Sequence, residues 1–174
     1  MTRSAPGTSE AASAPNDLET RASDQHHQAL RLWLRLLACT NRIEGEIRRR
    51  LRSKFNTTLP RFDLMAQLDK APAGMKLGEL SQRLMVSNGN ITGLVDRLVA
   101  QGLLDRQPAP NDRRAQLVRL TAEGRKSFRA MAASHEDWVA EILGDLTSSE
   151  RETLMRLLGK AKASARKAMT DGDE

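Results

Sequence analysis

The sequence predicts a mainly α-helical fold with one small β-hairpin, and three observations lead to this prediction. Apolar residues recur every three or four positions through most of residues 29–168, which is the period of an amphipathic helix. This period is interrupted between Leu103 and Leu120, where two short apolar runs flank a segment that contains two prolines. The chain has 174 residues, of which 39% are hydrophobic. That length suits one domain with helical extensions and excludes a large multidomain enzyme.

The composition limits the compartment and the cofactors. Cys39 is the single cysteine, and no group of Cys, His and carboxylate residues has the spacing of a zinc site. Residues 1–28 lack the basic start and apolar centre of a secretory signal, and we expect them to form a disordered tail. No apolar stretch approaches the ~20 residues of a membrane span. We therefore expect a cytoplasmic protein with no metal, no cofactor and no membrane contact.

A first, long helix is predicted over residues 29–56. Its apolar positions follow helical spacing: Leu30, Trp33, Leu34, Leu37, Ile43, Ile47 and Leu51. A helix of this length gains most of its stability from packing its apolar face, so it requires a partner.

Residues 57–122 predict a small domain of three short helices and a hairpin. Pro60 suits the first turn of the second helix, and the segment 71–74 ends it. The third helix starts after Lys76, which is a poor capping residue. Ser87 caps the fourth helix, and Gly102 is placed to stop it. The fourth helix carries apolar residues at the spacing of one helix face: Ile91, Leu94, Val95, Leu98 and Val99.

The hairpin is predicted to have strands at 103–106 and 116–120 around a loop at 108–114. Two further helices follow over residues 123–168, one capped by Thr121 and one opened by a capping box from Thr147 to Glu150. Residues 169–174 are expected to be a disordered tail. Together with the first helix, these helices carry more apolar surface than the central domain can cover. A second copy of the chain covers it most simply, so we predict a symmetric homodimer.

Two short helices, a tight turn, a helix with a polar start and a hairpin together define a winged helix-turn-helix domain. The fourth helix can bury its apolar face and present its polar start to the major groove of DNA. The candidate base-reading residues are Ser87, Asn88, Asn90 and Thr92. Amides and hydroxyls both donate and accept hydrogen bonds, so they can distinguish bases. The alternative is a solvated helix start with turn-forming residues.

Basic residues support a nucleic-acid partner, because the net charge is +6 and it is concentrated in two clusters. One cluster lies near the end of the first helix (Arg48, Arg49, Arg50, Arg52 and Lys54), and the other surrounds the hairpin (Arg113, Arg114, Arg119, Arg125 and Lys126). Arginines at a hairpin tip suit the narrow minor groove. We assign this role to Arg114, with Arg113 as the alternative.

Five short motifs in residues 30–165 resemble the MarR family of bacterial transcriptional regulators. The motifs are Leu77-Gly78-Glu79-Leu80, Val95-Asp96-Arg97-Leu98, Gly102-Leu103-Leu104, Asp112-Arg113-Arg114 and Leu120-Thr121-Ala122-Glu123-Gly124. The resemblance implies a dimer of winged-helix domains joined by N- and C-terminal helices. It also implies binding to pseudo-palindromic operators, release by a small ligand, and a pair between Asp112 and Arg97 that supports the wing.

The effector site is expected between the dimer helices and the winged domain. Aromatic walls and anion partners could come from Trp33, Arg35, Arg42, Arg61, His135 and Trp138; the alternative is that the tryptophans and His135 are core or interface residues. The first helix, through Leu30–Asn41 and Ile43–Leu51, also resembles regulators of hydroxycinnamate catabolism that respond to aryl-CoA thioesters. A CoA thioester carries phosphates for arginines such as Arg48 and Arg49. The expected effector is thus an aromatic carboxylate or hydroxycinnamoyl-CoA, and the expected role is repression of aromatic-compound catabolism genes.

Three other classes of function are alternatives to this interpretation. Oxidant sensing through Cys39 would resemble a peroxide-sensing branch of the family, but that branch uses tyrosine hydroxyls, which this chain lacks; a buried structural cysteine is the expectation. A nucleoid protein indifferent to sequence would use the same basic surface. An enzyme is not expected, because Ser134, His135 and Asp137 on one helix point in different directions and cannot form a catalytic triad.

Overall fold

The computed structural model describes residues 28–109 and 112–170, and within them it has six helices and three strands. In chain order these are α1 (Gln28–Phe55), α2 (Leu59–Asp69), β1 (Met75–Lys76), α3 (Leu77–Leu84), α4 (Asn88–Ala100), β2 (Leu104–Ala109), β3 (Asp112–Leu120), α5 (Ala122–Ile142) and α6 (Ser148–Thr170). The predicted mainly α-helical fold with a small β-hairpin is confirmed. The tails predicted at 1–28 and 169–174 lie almost entirely outside the described residues, except that Gln28 belongs to α1 and Met169 and Thr170 belong to α6.

The chain divides into two compact units at Gly45 and Glu46, within α1. The described part of the first unit is the helical segment 28–45, and no residue in this segment is fully buried. The second unit contains the rest of α1 and all the other elements.

The sheet of the second unit is antiparallel with the strand order β1-β3-β2. Met75 and Val118 are register partners between β1 and β3, and Leu104 and Leu120 are partners between β2 and β3. The sequence did not predict β1, because a two-residue strand is too short to have a period. The predicted loop at 108–114 is also wrong in extent, since β2 continues to Ala109 and β3 begins at Asp112, with a register irregularity between Pro108 and Ala109.

The core of the second unit lies between the sheet, the C-terminal end of α1 and the helices α2 to α5. Several of its side chains are completely inaccessible to solvent, among them Leu51, Leu64, Leu68, Leu80, Ile91, Val95 and Val118. Burying such side chains contributes about 1.5–3 kcal/mol each. The core therefore fixes α4 against the sheet.

The ends of the helices follow the predicted signals. Pro60 lies in the first turn of α2, Lys76 occupies the N-cap of α3 without a side-chain hydrogen bond, and Ser87 caps α4. At α6 the capping box is complete, since the Thr147 N–H donates to Glu150 Oε2 (2.7 Å) and the Glu150 N–H donates to Thr147 Oγ1 (3.3 Å). The hydrogen bonds from Thr147 lower the pKa of Glu150 below its ordinary value.

The last helix, α6, has no buried residue. Its exposed apolar side chains include Leu154, Met155, Leu157 and Leu158. None of the helices in the described ranges has the length and apolar character needed to cross a membrane.

Candidate nucleic-acid interface

The helix α4 has one buried face and one exposed polar end. Ile91, Val95 and Leu98 are buried, and Leu94 is half-buried. All four predicted base-reading residues are exposed and lie at the N-terminal end of the helix: Ser87, Asn88, Asn90 and Thr92. The orientation expected of a recognition helix is therefore present.

Two of these four side chains also stabilise the start of α4. Ser87 Oγ accepts a hydrogen bond from the Asn90 N–H (3.4 Å), and Thr92 Oγ1 donates to the Asn88 carbonyl (2.9 Å). The side-chain amides of Asn88 and Asn90 are thus better suited to reading bases than the two hydroxyls. Each amide can both donate and accept.

The turn between α3 and α4 is held by Ser81, which is 9% exposed. Its hydroxyl donates to the Val86 carbonyl (2.6 Å), and the Val86 N–H donates to the Ser81 carbonyl (3.2 Å). Met85 ends α3 in the left-handed region with φ 53°, which is uncommon for a residue with a side chain. These contacts fix the angle at which α4 leaves α3.

The hairpin of β2 and β3, which we call the wing, is attached to α4 at Gly102. Gly102 has φ 71°, which suits glycine at a helix end. The N–H groups of Gly102 and Leu103 donate to the carbonyls of Val99 (2.9 Å) and Leu98 (3.0 Å). The Thr121 hydroxyl donates to the Gly102 carbonyl (2.8 Å) and accepts from the Gly124 N–H (3.0 Å). One hydroxyl therefore joins the base of the wing to the start of α5.

A second connection between α4 and the wing was not predicted. Nη2 of Arg106 on β2 lies 2.7 Å from Oδ1 of Asp96 on α4. Strand alternation could have indicated it, because Arg106 lies on the same face of β2 as the buried Leu104 and opposite the buried Val118. An arginine on a buried face calls for a carboxylate partner.

Near the tip of the wing the structure describes the backbone up to Ala109 and from Asp112 onward, and residues 110 and 111 lie outside the described ranges. Asp112, Arg113 and Arg114 are in β3, and their side chains lie outside the described part of the structure. The Asp112–Arg97 pair implied by the resemblance lies outside it too. Arg97 itself is exposed on α4.

Three of the predicted effector residues, Trp33, Arg35 and Arg42, belong to the first unit, and all three are exposed there. Cys39 belongs to the same segment and is also exposed. The expectation of a buried cysteine is therefore wrong for this chain, because within residues 28–45, the described part of the unit, the face of α1 that carries the thiol is uncovered.

The other five effector candidates belong to the second unit. Arg48 and Arg49 are exposed on α1, and Arg61 is half-buried on α2. His135 and Trp138 on α5 are half-buried in aromatic contacts, which favours a packing role for both.

The aromatic contacts join the end of α1, α2 and α5. The His135 ring lies 4.9 Å from the Phe62 ring, and the Trp138 ring lies 6.2 Å from the Phe55 ring. The Arg50 guanidinium and the Lys54 ammonium are each 6.0 Å from the centre of the Trp138 ring. These contacts hold the C-terminal part of α1 against α5.

Charged groups reinforce the contact between α1 and α5. Arg50 donates to Glu141 on α5 through Nη1 (2.6 Å) and Nη2 (2.9 Å), and to Glu46 through Nε (2.6 Å). Hydrogen bonds from Arg49 and then Arg50 lower the pKa of Glu46 to about 2. The pKa of Glu141 is lowered by its bonds to Arg50.

Comparison with known proteins indicates the same class of protein as the geometry, a DNA-binding regulator. Residues 57–115 match the model of the MarR family. The chain is 30% identical over 112 residues to the HTH-type transcriptional regulator PecS of Dickeya dadantii, covering 63% of this chain and 68% of PecS. It is 31% identical over 125 residues to the transcriptional activatory protein BadR of Rhodopseudomonas palustris, covering 70% and 71%. A solved structure of an E. coli MarR mutant complexed with operator DNA superposes with a TM-score of 0.69 at 28% identity, covering 80% of this chain and 99% of that one.

The helix-turn-helix of α3 and α4, followed by the wing, places this protein among the winged helix-turn-helix DNA-binding proteins. More narrowly, the chain belongs to the MarR family and is a DNA-binding transcriptional regulator. Members of this family regulate transcription, which confirms the prediction that the chain is not an enzyme.

Proposed function

We propose that this regulator acts in the bacterial cytoplasm as a homodimer that binds a pseudo-palindromic operator and releases it when an aromatic acid or its CoA thioester binds. The expected result of operator binding is repression of genes for aromatic-compound catabolism. One observation carries the DNA-binding part: the exposed polar start of α4 lies on a helix that is attached to the wing at Gly102.

In this proposal the start of α4 enters the major groove. Asn88 and Asn90 read bases there, since an asparagine side chain can make two hydrogen bonds to adenine. Arg114 on the wing enters the neighbouring minor groove, where the negative potential attracts a guanidinium. Two copies would read half-sites about 10 bp apart on one face of the duplex.

Dimerisation is supported by apolar surface that is uncovered within each unit. In the first unit Leu32 is 58% exposed and Trp33 is 57% exposed. In the second unit an open apolar groove of about 400 Å³ is lined by residues of α6 and the turn before it, including Leu143, Leu146, Leu154 and Leu158. A second copy would remove these surfaces from water. Light scattering at micromolar concentration tests this, and a monomer would contradict it.

The DNA-binding part is tested by selecting a duplex from a randomised pool with the full chain. The selected duplex should compete against random duplex by roughly a thousandfold or more at physiological salt. Nearly equal affinities with a steep salt dependence would instead indicate a nucleoid protein. Arg114→Ala should weaken binding without unfolding the protein, and Arg129→Ala on the exposed side of α5 is the matched control.

The effector part is supported by the cations of α1. Arg48, Arg49 and Arg52 border an open groove of about 480 Å³, and guanidinium groups bind phosphates with paired hydrogen bonds. An aryl-CoA thioester would combine such phosphates with an aromatic acyl group. Calorimetry with p-coumaroyl-CoA and with free p-coumarate tests the choice: tighter binding of the thioester supports it, and equal or absent binding of both contradicts it.

Oxidant sensing is the second candidate function, because Cys39 is exposed in the described chain and a sensing thiol must be accessible. A Cys39→Ser variant distinguishes the two functions. Two results together would exclude this candidate. The effector would release DNA fully from the Cys39→Ser variant, and peroxide would not release DNA from the wild type.

A further inference from the structure

The ion pair between Asp96 and Arg106 joins the two parts of the domain that the proposed function brings to DNA. Asp96 lies on α4 between the buried Val95 and the exposed Arg97, and Arg106 lies on β2 of the wing. Their side chains are 56% and 27% exposed, and the contact distance is 2.7 Å. The arginine end of the pair is thus partly withdrawn from water, whereas the carboxylate of Asp96 remains exposed.

The guanidinium of Arg106 is held mainly by charge. Among the described residues neither its Nε nor its Nη2 has a hydrogen-bond partner, and both atoms are inaccessible to solvent. A desolvated cation depends strongly on a nearby carboxylate, because removal of that carboxylate leaves its charge uncompensated. Two inaccessible nitrogens also make Arg106 poorly placed to bind a phosphate itself.

The pair lies where it can constrain the angle between the wing and α4. The backbone connection between α4 and β2 is at Gly102, six residues after Asp96 and four residues before Arg106. These separations correspond to roughly 9 Å along a helix and roughly 13 Å along a strand. The ion pair therefore closes a triangle whose corner is Gly102, and a triangle of fixed sides has a fixed angle.

We infer that Asp96 and Arg106 are positioning residues that set the angle between the recognition helix and the wing, so that both fit adjacent grooves at the same time. This inference rests on the proposed operator binding. Specific binding requires both parts to reach their grooves together, whereas binding to random DNA tolerates many orientations. Loss of the pair should therefore reduce preference for the operator more than it reduces binding to DNA in general.

The test compares Asp96→Asn, Arg106→Met and the double variant of the full chain, using the duplex selected by the wild type and a random duplex. Each single variant should bind the selected duplex about tenfold more weakly, and the double variant should be no weaker than the weaker single one, as coupled partners are. Affinity for random duplex should change less than about twofold, and the slope of affinity against salt should stay the same.

Asp96→Asn is the most informative variant. If Arg106→Met does not fold, the affinities of Asp96→Asn for the two duplexes are sufficient to test the inference. Neutralising a carboxylate near DNA should strengthen binding if only charge matters, whereas the inference requires weaker binding. Glu79→Gln is the matched control, because Glu79 pairs with Arg83 within α3 at 2.9 Å and has no ion pair with a second element among the described residues. It should not reduce affinity for the selected duplex.

Unchanged or tighter operator binding by Asp96→Asn would overturn the inference. So would an equal loss on both duplexes with a smaller salt slope in Arg106→Met, which would indicate direct contact with a phosphate. Absence of any sequence preference in the wild type would overturn the proposed operator binding, and this inference with it.

Discussion

Replacing Gly124 with alanine should destabilise the domain, although alanine favours helices. Gly124 lies in the first turn of α5, where its N–H donates to Thr121 Oγ1. A Cβ added to Gly124 would lie 1.9 Å from the carbonyl oxygen of Leu103 and 2.9 Å from its carbonyl carbon. Real Cβ atoms essentially never approach closer than 3.0 Å, so about 1 Å of backbone movement is required.

The obstructing atoms are backbone at the base of the wing, so no flexible side chain can move aside. The Leu103 carbonyl also accepts the hydrogen bond from the Thr121 N–H (3.1 Å), which the movement would break. Overpacking costs about 1–3 kcal/mol, and a lost hydrogen bond costs about 1 kcal/mol. The helical preference of alanine returns about 1 kcal/mol, which leaves a net loss of about 1–3 kcal/mol.

Urea unfolding of the two proteins measures this difference. Gly78→Ala on α3 is the matched control, because nothing lies within 4 Å of a Cβ at Gly78. The control should be neutral or stabilised by up to about 1 kcal/mol. A Gly124→Ala protein as stable as the wild type would refute the reasoning.

Three further predictions concern the cap of α5, the start of α4 and the ion pairs of Glu46. Thr121→Ala should destabilise the protein by about 1–2 kcal/mol in urea unfolding, because it removes the cap of α5; Thr121→Ser should retain most of the stability, and equal losses would contradict the capping role. Asn90→Ala should weaken binding to the selected duplex by roughly 5- to 150-fold and leave random binding unchanged; a uniform loss on both duplexes would contradict base reading. Since the pKa of Glu46 falls from 4.5 to about 2 on folding, its ion pairs stabilise the protein fully above the unfolded value and are lost as the pH falls toward the folded one. The difference in urea midpoint between wild type and Glu46→Gln should therefore shrink from about pH 6 to about pH 3, and a constant difference would contradict this.

Signals confined to a few neighbouring residues were sufficient to predict most of the fold. Ser87, Thr121 and the Thr147–Glu150 box were identified as caps, because a cap depends on residues three positions apart, and the structure has all three. The exposure of Asn88 and Asn90 followed from the helical period of the apolar residues beside them. The strand β1 was not predicted, because its pairing with Val118 joins residues far apart in the chain.

Contacts between distant side chains were harder to predict. The pair of Asp96 and Arg106 needs both the helix face and the strand register, and neither is fixed by the local sequence. Similarly, Trp138 was predicted as an effector residue, but its contacts with Phe55, Arg50 and Lys54 were not predicted. The exposure of Cys39 was missed because an apolar helical period indicates that a face will be buried, but not within which unit.

The central claim is that the start of α4 and the wing occupy adjacent grooves of one duplex. Dimethyl sulfate footprinting tests this most directly, because the reagent methylates guanine in the major groove and adenine in the minor groove. On the duplex selected by the full chain we predict protected guanines at the centre of each half-site and protected adenines about 5 bp outward, with half-site centres about 10 bp apart. Protection restricted to one kind of groove, or spread evenly along the duplex, would contradict the account.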